Sequence, residues 1–306
     1  MTVRKVPREP RSYLYVPGDA QDKLDRSLER GADSLIVDLE DAVVPQAKER
    51  ARCSVRKWLE GQAPAAERDV EILVRINRWP VGEEDLEAVV CGALNGICLP
   101  KGVASDIAEL DRALGRAEAA TSLAPGSLSV QAIVESAGAV LGAVAVAMSP
   151  RVERIQLGEM DLAADLGAEP DPDGTELLFA RAQVVLASAA AGIGAPVGPV
   201  QAEFGDSERF ARTTAALKRL GFGSRACVHP SQVELANRIF TPTAAELERA
   251  QAVLARYEEA VGTALGAFVG PGGEMVDEAS ARLARRLIAR ARSLAGGFGG
   301  GEPGAR

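Results

Sequence analysis

A single histidine, His229, occurs in 306 residues, and no Gly-x-Ser-x-Gly accompanies it, so a serine hydrolase is not expected. Cysteine is scarce too: Cys53, Cys91, Cys98 and Cys227 have no ligand-like spacing, and three of them fall inside apolar patterns. Buried reduced thiols are the reading favoured over a zinc site or disulfides. No apolar run approaches the roughly 20 residues a membrane span needs. The basic start, Met1 to Pro10, lacks the apolar stretch of a secretory signal. There is no surplus of positive charge either; the net charge is −8, which argues against an extended nucleic-acid footprint. Gly192-Ile-Gly194 precedes a strand pattern instead of following one, so it is not a dinucleotide fingerprint. What remains is the expectation of a cytoplasmic enzyme with no nucleic-acid or membrane partner.

What the chain does have is 47% hydrophobic residues, enough for a sizeable core. Short apolar strands alternate with helical patterns eight times. The strands are Tyr13–Val16, Ser34–Leu39, Glu71–Ile76, Gly96–Leu99, Leu128–Val134, Val152–Leu157, a weaker Ala195–Val200, and Ala226–Val228. Between them lie helices such as the one carrying Leu24 and Leu28 with Gly31 as its stop, and an Ala-rich one near Ala180–Ala191. Continuous apolar strands joined by helices imply a parallel sheet covered on both faces. Eight units favour a (β/α)₈ TIM barrel over an open sheet. The barrel is expected over residues 1–240, followed by a C-terminal helical extension and lid over 241–295 and a Gly-rich disordered tail over 296–306.

In such a barrel the active site lies at the C-terminal ends of the strands. Those ends carry Glu40 and Asp41, Arg75 and Asn77, Lys101, Glu135, Asp161 and His229. Asp161 follows the strand ending Ile155-Gln-Leu-Gly158 and leads a helix through Leu162 and Leu166. A carboxylate there is either an N-cap or a cation ligand beside free helix N–H groups. Glu135 and Asp161 leave adjacent strands at one rim, and an oxygen-only pair suits Mg²⁺ or Mn²⁺. Arg75 is a partner for a carboxylate or developing oxyanion, or else an ordinary salt bridge to Glu40 or Asp41. Glu40 and Asp41 either support the site or form the acidic first turn of the next helix. His229 is read as structural or pocket-lining in preference to a general base.

These residues sit within an ordered set of motifs: Arg11-Ser-Tyr-Leu-Tyr-Val-Pro-Gly18, Asp38-Leu-Glu-Asp-Ala-Val43 with Pro45 and Lys48, Val74-Arg-Ile-Asn77, Leu99-Pro-Lys101, Glu135-Ser-Ala, Asp161-Leu-Ala-Ala-Asp-Leu-Gly167 and Val228-His-Pro-Ser-Gln232. With them, from Arg11 to about Leu294, the chain resembles the citrate lyase β-subunit-like proteins of the HpcH/HpaI aldolase superfamily, which includes malyl-CoA and citramalyl-CoA lyases. The resemblance implies Glu135 and Asp161 as Mg²⁺ ligands and Arg75 as the group facing a thioester enolate oxygen. It implies backbone amides of Met160 and Asp161 at an oxo-acid carboxylate, and Arg11 and Lys101 near the substrate or coenzyme A. After Glu135 the family has Thr-Ala-x-Gly where this chain has Ser136-Ala-Gly138, so the shape of that turn differs.

Further along, Thr241–Val261 reads as an amphipathic helix with Leu247, Val253, Leu254 and Tyr257. Asp277 then precedes another helix, where a carboxylate is usually a cap. In the resembling lyases an aspartate after a Met-Val step, as in Met275-Val276-Asp277, reaches a neighbouring subunit's active site as acid/base. That implies a homo-oligomer, a trimer or hexamer. The last helix places Arg282, Arg285, Arg286, Arg290 and Arg292 opposite Leu283, Leu287 and Leu294, as a solvated face or a contact for coenzyme A phosphates. The implied activity is Mg²⁺-dependent cleavage of a coenzyme A thioester such as malyl-, methylmalyl- or citramalyl-CoA. The alternatives are a malyl-CoA thioesterase, or a citrate lyase β-type subunit that needs partner subunits.

Overall fold

The computed structural model of the chain describes residues 9–262, 268–269 and 275–295. The segment 296–306, expected as a disordered tail, lies outside the described residues. Two compact units are formed, Met1–Phe240 and Thr241–Arg306.

The first unit is a closed barrel of eight parallel strands in chain order. They are β1 (Ser12–Pro17), β2 (Ser34–Asp38), β3 (Glu71–Arg75), β4 (Gly96–Leu99), β5 (Ser129–Val134), β6 (Val152–Leu157), β7 (Val197–Gly198) and β8 (Ser224–Cys227). Closure is by β1 against β8, with Leu14 opposite Cys227. The principal helices around it are α1 (Gln21–Ser27), α2 (Lys48–Glu60), α3 (Val81–Val89), α4 (Ala104–Ala120), α5 (Ala137–Leu141), α6 (Ala143–Ala147), α7 (Glu159–Leu166), α8 (Leu178–Ala191), α9 (Ser207–Leu220) and α10 (Pro230–Phe240). Gly31, with φ +73°, ends the turn after α1 in the left-handed conformation that glycine adopts without steric cost.

Two differences from the expected strands have local causes. β7 shrinks to two residues because Pro196 and Pro199 flank it and neither has an N–H for the ladder. β8 begins earlier, at Ser224, and includes the buried Arg225, whose Nη1 donates to the Phe210 carbonyl and the Thr214 hydroxyl of α9. Cys53 is exposed, on α2, contrary to the expectation of buried thiols, whereas Cys98 and Cys227 are buried. Burial pushes both of those thiols up to about 12, so they stay protonated and inert.

Strand alternation sets up the site. One side of the strands packs on the helices, as Leu35, Val37, Ile72, Val74, Ile97 and Leu99 do. The other side fills the barrel with Tyr13, Ile36, Leu73, Cys98, Ile133, Val197 and Ala226. Each fully buried aliphatic in these layers contributes about 1.5–3 kcal/mol. Two residues on from Ile36, Leu73 and Ile133 the same face carries Asp38, Arg75 and Glu135. The apolar interior thus ends in a charged layer at the C-terminal rim.

The second unit contains α11 (Ala244–Gly262), a two-stranded pair β9 (Phe268–Val269) and β10 (Met275–Val276), and α12 (Glu278–Ala295). α11 begins later than expected because Thr243 and Glu246 form a capping box. The Glu246 N–H donates to Thr243 Oγ1 at 3.2 Å, and the Thr243 N–H donates to Glu246 Oε2 at 2.8 Å. Ala250 packs on Ala284 and Ile288, with Leu247, Val253, Leu254 and Leu287 around them. The stripe therefore runs through 284, 287 and 288. Leu283, expected on the packed side, is 67% exposed among the arginines, because it lies one helical step off that stripe.

Candidate active site

A cavity of about 660 Å³ opens at the C-terminal rim, and Arg75, Glu135, Met160, Asp161 and His229 all line it. Asp38 and Tyr15 form part of its floor.

Arg75 is held as a fork by Asp38, with Nε donating to Oδ1 at 2.8 Å and Nη2 to Oδ2 at 2.6 Å. Nη1 lies 2.9 Å from Glu40 Oε2 and 3.6 Å from Asp41 Oδ2, and the guanidinium stands 5.2 Å over the Tyr15 ring. A guanidinium has five N–H groups. Asp38 accepts two of them, one each from Nε and Nη2, and Nη1 is ion-paired with Glu40, so both terminal nitrogens keep N–H groups that Asp38 does not take. The salt-bridge alternative is therefore realised, and it presents the arginine without consuming it. Asp38, which sequence reasoning passed over, takes the stronger contact. Its signal was legible: it stands two residues after the inward Ile36.

Glu40 is buried, and burial pushes its carboxyl up to about 7, with Arg75 opposing and Asp41 adding to the rise. Its turn is pinned from below by Lys48 Nζ, which donates to the carbonyls of Leu39 and Glu40 at 2.9 Å each. Asn77 Nδ2 donates to the same Leu39 carbonyl at 2.9 Å. Glu40 is thus a charge partner of Arg75, and it is not among the residues lining the cavity.

Glu135 is 6% exposed, and its Oε1 accepts the Lys101 N–H at 2.6 Å. Burial pushes its carboxyl up to about 7; the Lys101 N–H and Arg75 oppose the shift, and Asp161 adds to it. Lys101 reaches that geometry with φ +50°, a left-handed conformation costing on the order of 1 kcal/mol for a non-glycine residue. What the site uses of Lys101 is its backbone, since the side chain is exposed and does not line the cavity.

Asp161 is the third residue of α7, whose N-cap is Gly158 with no side-chain cap. The N-cap alternative for Asp161 is thereby corrected: its carboxylate is exposed to the cavity. The first N–H groups of α7, including those of Met160 and Asp161, have no intrahelical partners. Arg181 of α8 holds that turn through Glu159, with Nη2 donating to Oε2 at 2.8 Å.

His229 lies at the cavity wall, stacked on Phe204 with ring centroids 4.7 Å apart. Its Nδ1 accepts the Ser231 N–H at 3.2 Å, so the pocket-lining reading fits. Lys23, on α1, and Arg30, in the turn after it, also line the cavity and were missed.

Arg11 is a correction. It precedes β1, and its Nε and Nη2 donate to Asp33, just before β2, at 2.7 and 2.8 Å. Both residues stand at the N-terminal ends of their strands, the rim opposite the cavity, where charge serves stability. Asp277 lies in the second unit, where Oδ1 caps α12 by accepting the Ser280 N–H at 3.0 Å. That hydrogen bond lowers its pKa.

The donor set fits a hard divalent cation. Among the described residues no cluster of three or more His, Cys, Asp or Glu could hold a metal. Mg²⁺, however, needs only one or two carboxylates, with substrate and water completing its octahedron. Gly158 makes the room, because a Cβ there would stand 2.6 Å from Glu135 Oε2. Gly158→Ala is therefore expected to overpack the site by about 1–3 kcal/mol. Mg²⁺ should then protect the variant from thermal unfolding less than it protects the wild type, which differential scanning fluorimetry with and without the ion would measure.

Comparison with known proteins agrees with this geometry. Residues 11–230 match the family model for HpcH/HpaI aldolase/citrate lyase. The chain is 36% identical over 290 residues to the citrate lyase subunit beta of Escherichia coli K12, covering 93% of this chain and 94% of that one. It is 33% identical over 289 residues to a (3S)-malyl-CoA thioesterase of Cereibacter sphaeroides, covering 93% and 95%. The crystal structure of CitE from Mycobacterium tuberculosis, in complex with magnesium, acetoacetate and coenzyme A, superposes with a TM-score of 0.74. That pair is 28% identical, and the match covers 92% of this chain and 97% of that one. A closed eight-stranded barrel, two carboxylates and an arginine at its C-terminal rim, and a match spanning the whole barrel place this chain among the lyases of the HpcH/HpaI aldolase/citrate lyase family.

Proposed function

We propose that this protein is a Mg²⁺-dependent lyase that reversibly cleaves a 3-hydroxy-carboxyacyl-CoA, such as malyl-, methylmalyl- or citramalyl-CoA, to an acyl-CoA and glyoxylate or pyruvate. The observation that carries the reading is the convergence of Glu135, Asp161 and Arg75 on one cavity. Glu135 and Asp161 would hold Mg²⁺, or Mn²⁺ in its place, which when bound supplies positive charge to the substrate's hydroxyl and carboxylate oxygens. The free N–H groups of Met160 and Asp161 would receive the oxo-acid carboxylate at the positive end of α7.

When the C–C bond breaks, the 3-hydroxyl gives up its proton to solvent and becomes the oxo group, and the electron pair of the broken bond passes to the acyl-CoA carbon as an enolate. Arg75 would stabilise that enolate oxygen with the N–H groups that Asp38 and Glu40 leave free. Asp277, from a neighbouring copy in a homo-oligomer, would protonate the enolate carbon, and in condensation it would abstract that proton. Lys23 and Arg30 on the cavity wall suit the phosphates of coenzyme A. Among the described residues no helix is long and apolar enough to cross a membrane.

Asp277→Asn is expected to lose turnover while keeping wild-type Mg²⁺ affinity, measured by steady-state assay and calorimetric titration. Intact turnover would remove Asp277 from the mechanism. Two relatives favour second readings. The (3S)-malyl-CoA thioesterase favours hydrolysis, and the citrate lyase subunit beta favours a subunit active only with partners. Malyl-CoA and citramalyl-CoA incubated with Mg²⁺ distinguish all three. Oxo-acid without free thiol supports the lyase, thiol with intact malate supports the hydrolase, and neither product supports the partner-dependent subunit.

A further inference from the structure

A second cavity, of about 440 Å³, lies on the other side of the first turn of α7, which lines both spaces through Glu159 and Met160. Three guanidinium groups reach its wall, those of Arg181, Arg209 and Arg225. Two of them have carboxylate partners. Arg181 is bound by Glu159, and Arg209 Nη1 lies 3.3 Å from Glu203.

Arg225 is different. It is 4% exposed, and all its acceptors are neutral. Nε donates to the Pro199 carbonyl at 3.1 Å, and Nη1 donates to the Phe210 carbonyl at 3.0 Å and to Thr213 and Thr214 hydroxyls at 2.8 and 2.6 Å. Among the described residues, no carboxylate pairs with it and Nη2 has no acceptor. Burial pushes the guanidinium down to about 10, although Glu159 works to raise it. A buried cation without a counter-charge is a costly arrangement that an entering anion would relieve.

The acids lining the cavity do not supply that charge, because each is committed elsewhere. Asp171 Oδ1 accepts from the backbone N–H groups of Asp173 and Thr175, and its Oδ2 from the Thr175 hydroxyl. Asp173 pairs with Arg212 at 2.8 Å. One uncompensated guanidinium nitrogen matches a single carboxylate. The walls between the charged groups are apolar, with Leu177, Val200 and Leu217 among them.

We propose that this second cavity is a binding site for a small monocarboxylate with a short apolar tail, whose carboxylate is received by Arg225 Nη2 and whose tail lies against Leu177 and Leu217. The inference does not depend on the catalytic reading, because neither Glu135 nor Asp161 takes part in it.

The test uses the full-length protein without Mg²⁺ and 4,4,4-trifluorobutyrate, a carboxylate with no hydroxyl or oxo group for chelation, followed by ¹⁹F NMR line width. Saturable broadening is expected for the wild type and, undiminished, for Asp161→Asn in the first cavity. Ala163→Phe, which fills the second cavity and leaves Arg225 in place, should abolish the broadening. Arg225→Lys, which keeps the charge but loses the planar fork, should weaken binding by at least about fivefold. Thermal melts establish that each variant is folded. No saturable broadening in the wild type would overturn the proposal. So would broadening that survives Ala163→Phe, since the probe would then be occupying another site.

Discussion

Arg75→Met is expected to lower kcat by about 10²–10³-fold, the loss that follows removal of one donor aimed at a developing oxyanion. The same change also leaves Asp38, whose side chain is 3% exposed, without its bidentate partner. Breaking a buried pair from one side typically costs about 3–5 kcal/mol, so a fall in activity alone would be ambiguous. The double variant Asp38→Asn with Arg75→Met separates the two effects. Removing the orphaned charge should restore most of the stability in urea denaturation, while kcat stays low. Recovery of kcat along with stability would assign Arg75 a purely structural role. Arg75→Lys should fall between, because an ammonium keeps the charge but cannot grip Asp38 with a fork and still offer N–H groups to the cavity.

The apparent Mg²⁺ affinity should fall as pH drops below 7, by up to about tenfold per unit, because the ion and a proton compete for Glu135. The sign follows from burial. The Glu135 pKa is raised to about 7 from an ordinary 4.5, so the metal-free folded protein favours the protonated form. Without metal, its contribution to stability is complete below about 4.5 and is lost as pH rises through 7, on the order of 3 kcal/mol in all. With metal the dependence reverses, and stabilisation by Mg²⁺ grows over that interval and levels off above it. Calorimetric titrations between pH 5.5 and 8 would measure this. Glu40 also titrates near 7, but Glu40→Gln should leave the slope in place, whereas Glu135→Gln should remove both the slope and most of the affinity. A flat affinity in the wild type would mean that Glu135 is not a ligand.

The barrel was legible in the sequence because continuous apolar strands and amphipathic helices leave distinct periods. β4 and β6 fall at the expected bounds, Gly96–Leu99 and Val152–Leu157. β8 was less legible, since Ser224 and Arg225 are buried but carry no apolar signal, and Arg225 is held by hydrogen bonds to α9. The site was legible where strand direction and alternation apply together, as for Arg75 and Glu135, and from strand direction alone for Asp161 at the start of α7. Arg11 was misplaced because its motif adjoins a strand whose far end forms the cavity. A residue preceding a parallel barrel strand belongs to the opposite rim. Asp38 went unnoticed beside the more conspicuous Glu40 and Asp41, although it continues the inward face of Ile36 and grips Arg75 through two hydrogen bonds.

The central claim is that Glu135 and Asp161 hold the ion that drives C–C cleavage. Asp161 tests it most directly: it is exposed, it lies on a helix that Arg181 holds independently through Glu159, and its replacement by asparagine leaves no buried group unpaired. The measurement is single-turnover release of oxo-acid from malyl-CoA and citramalyl-CoA by Asp161→Asn as Mg²⁺ is titrated. The account predicts a loss of at least about 10²-fold that high Mg²⁺ does not restore, in a protein that melts like the wild type. Release at the wild-type rate and the wild-type Mg²⁺ concentration would contradict it.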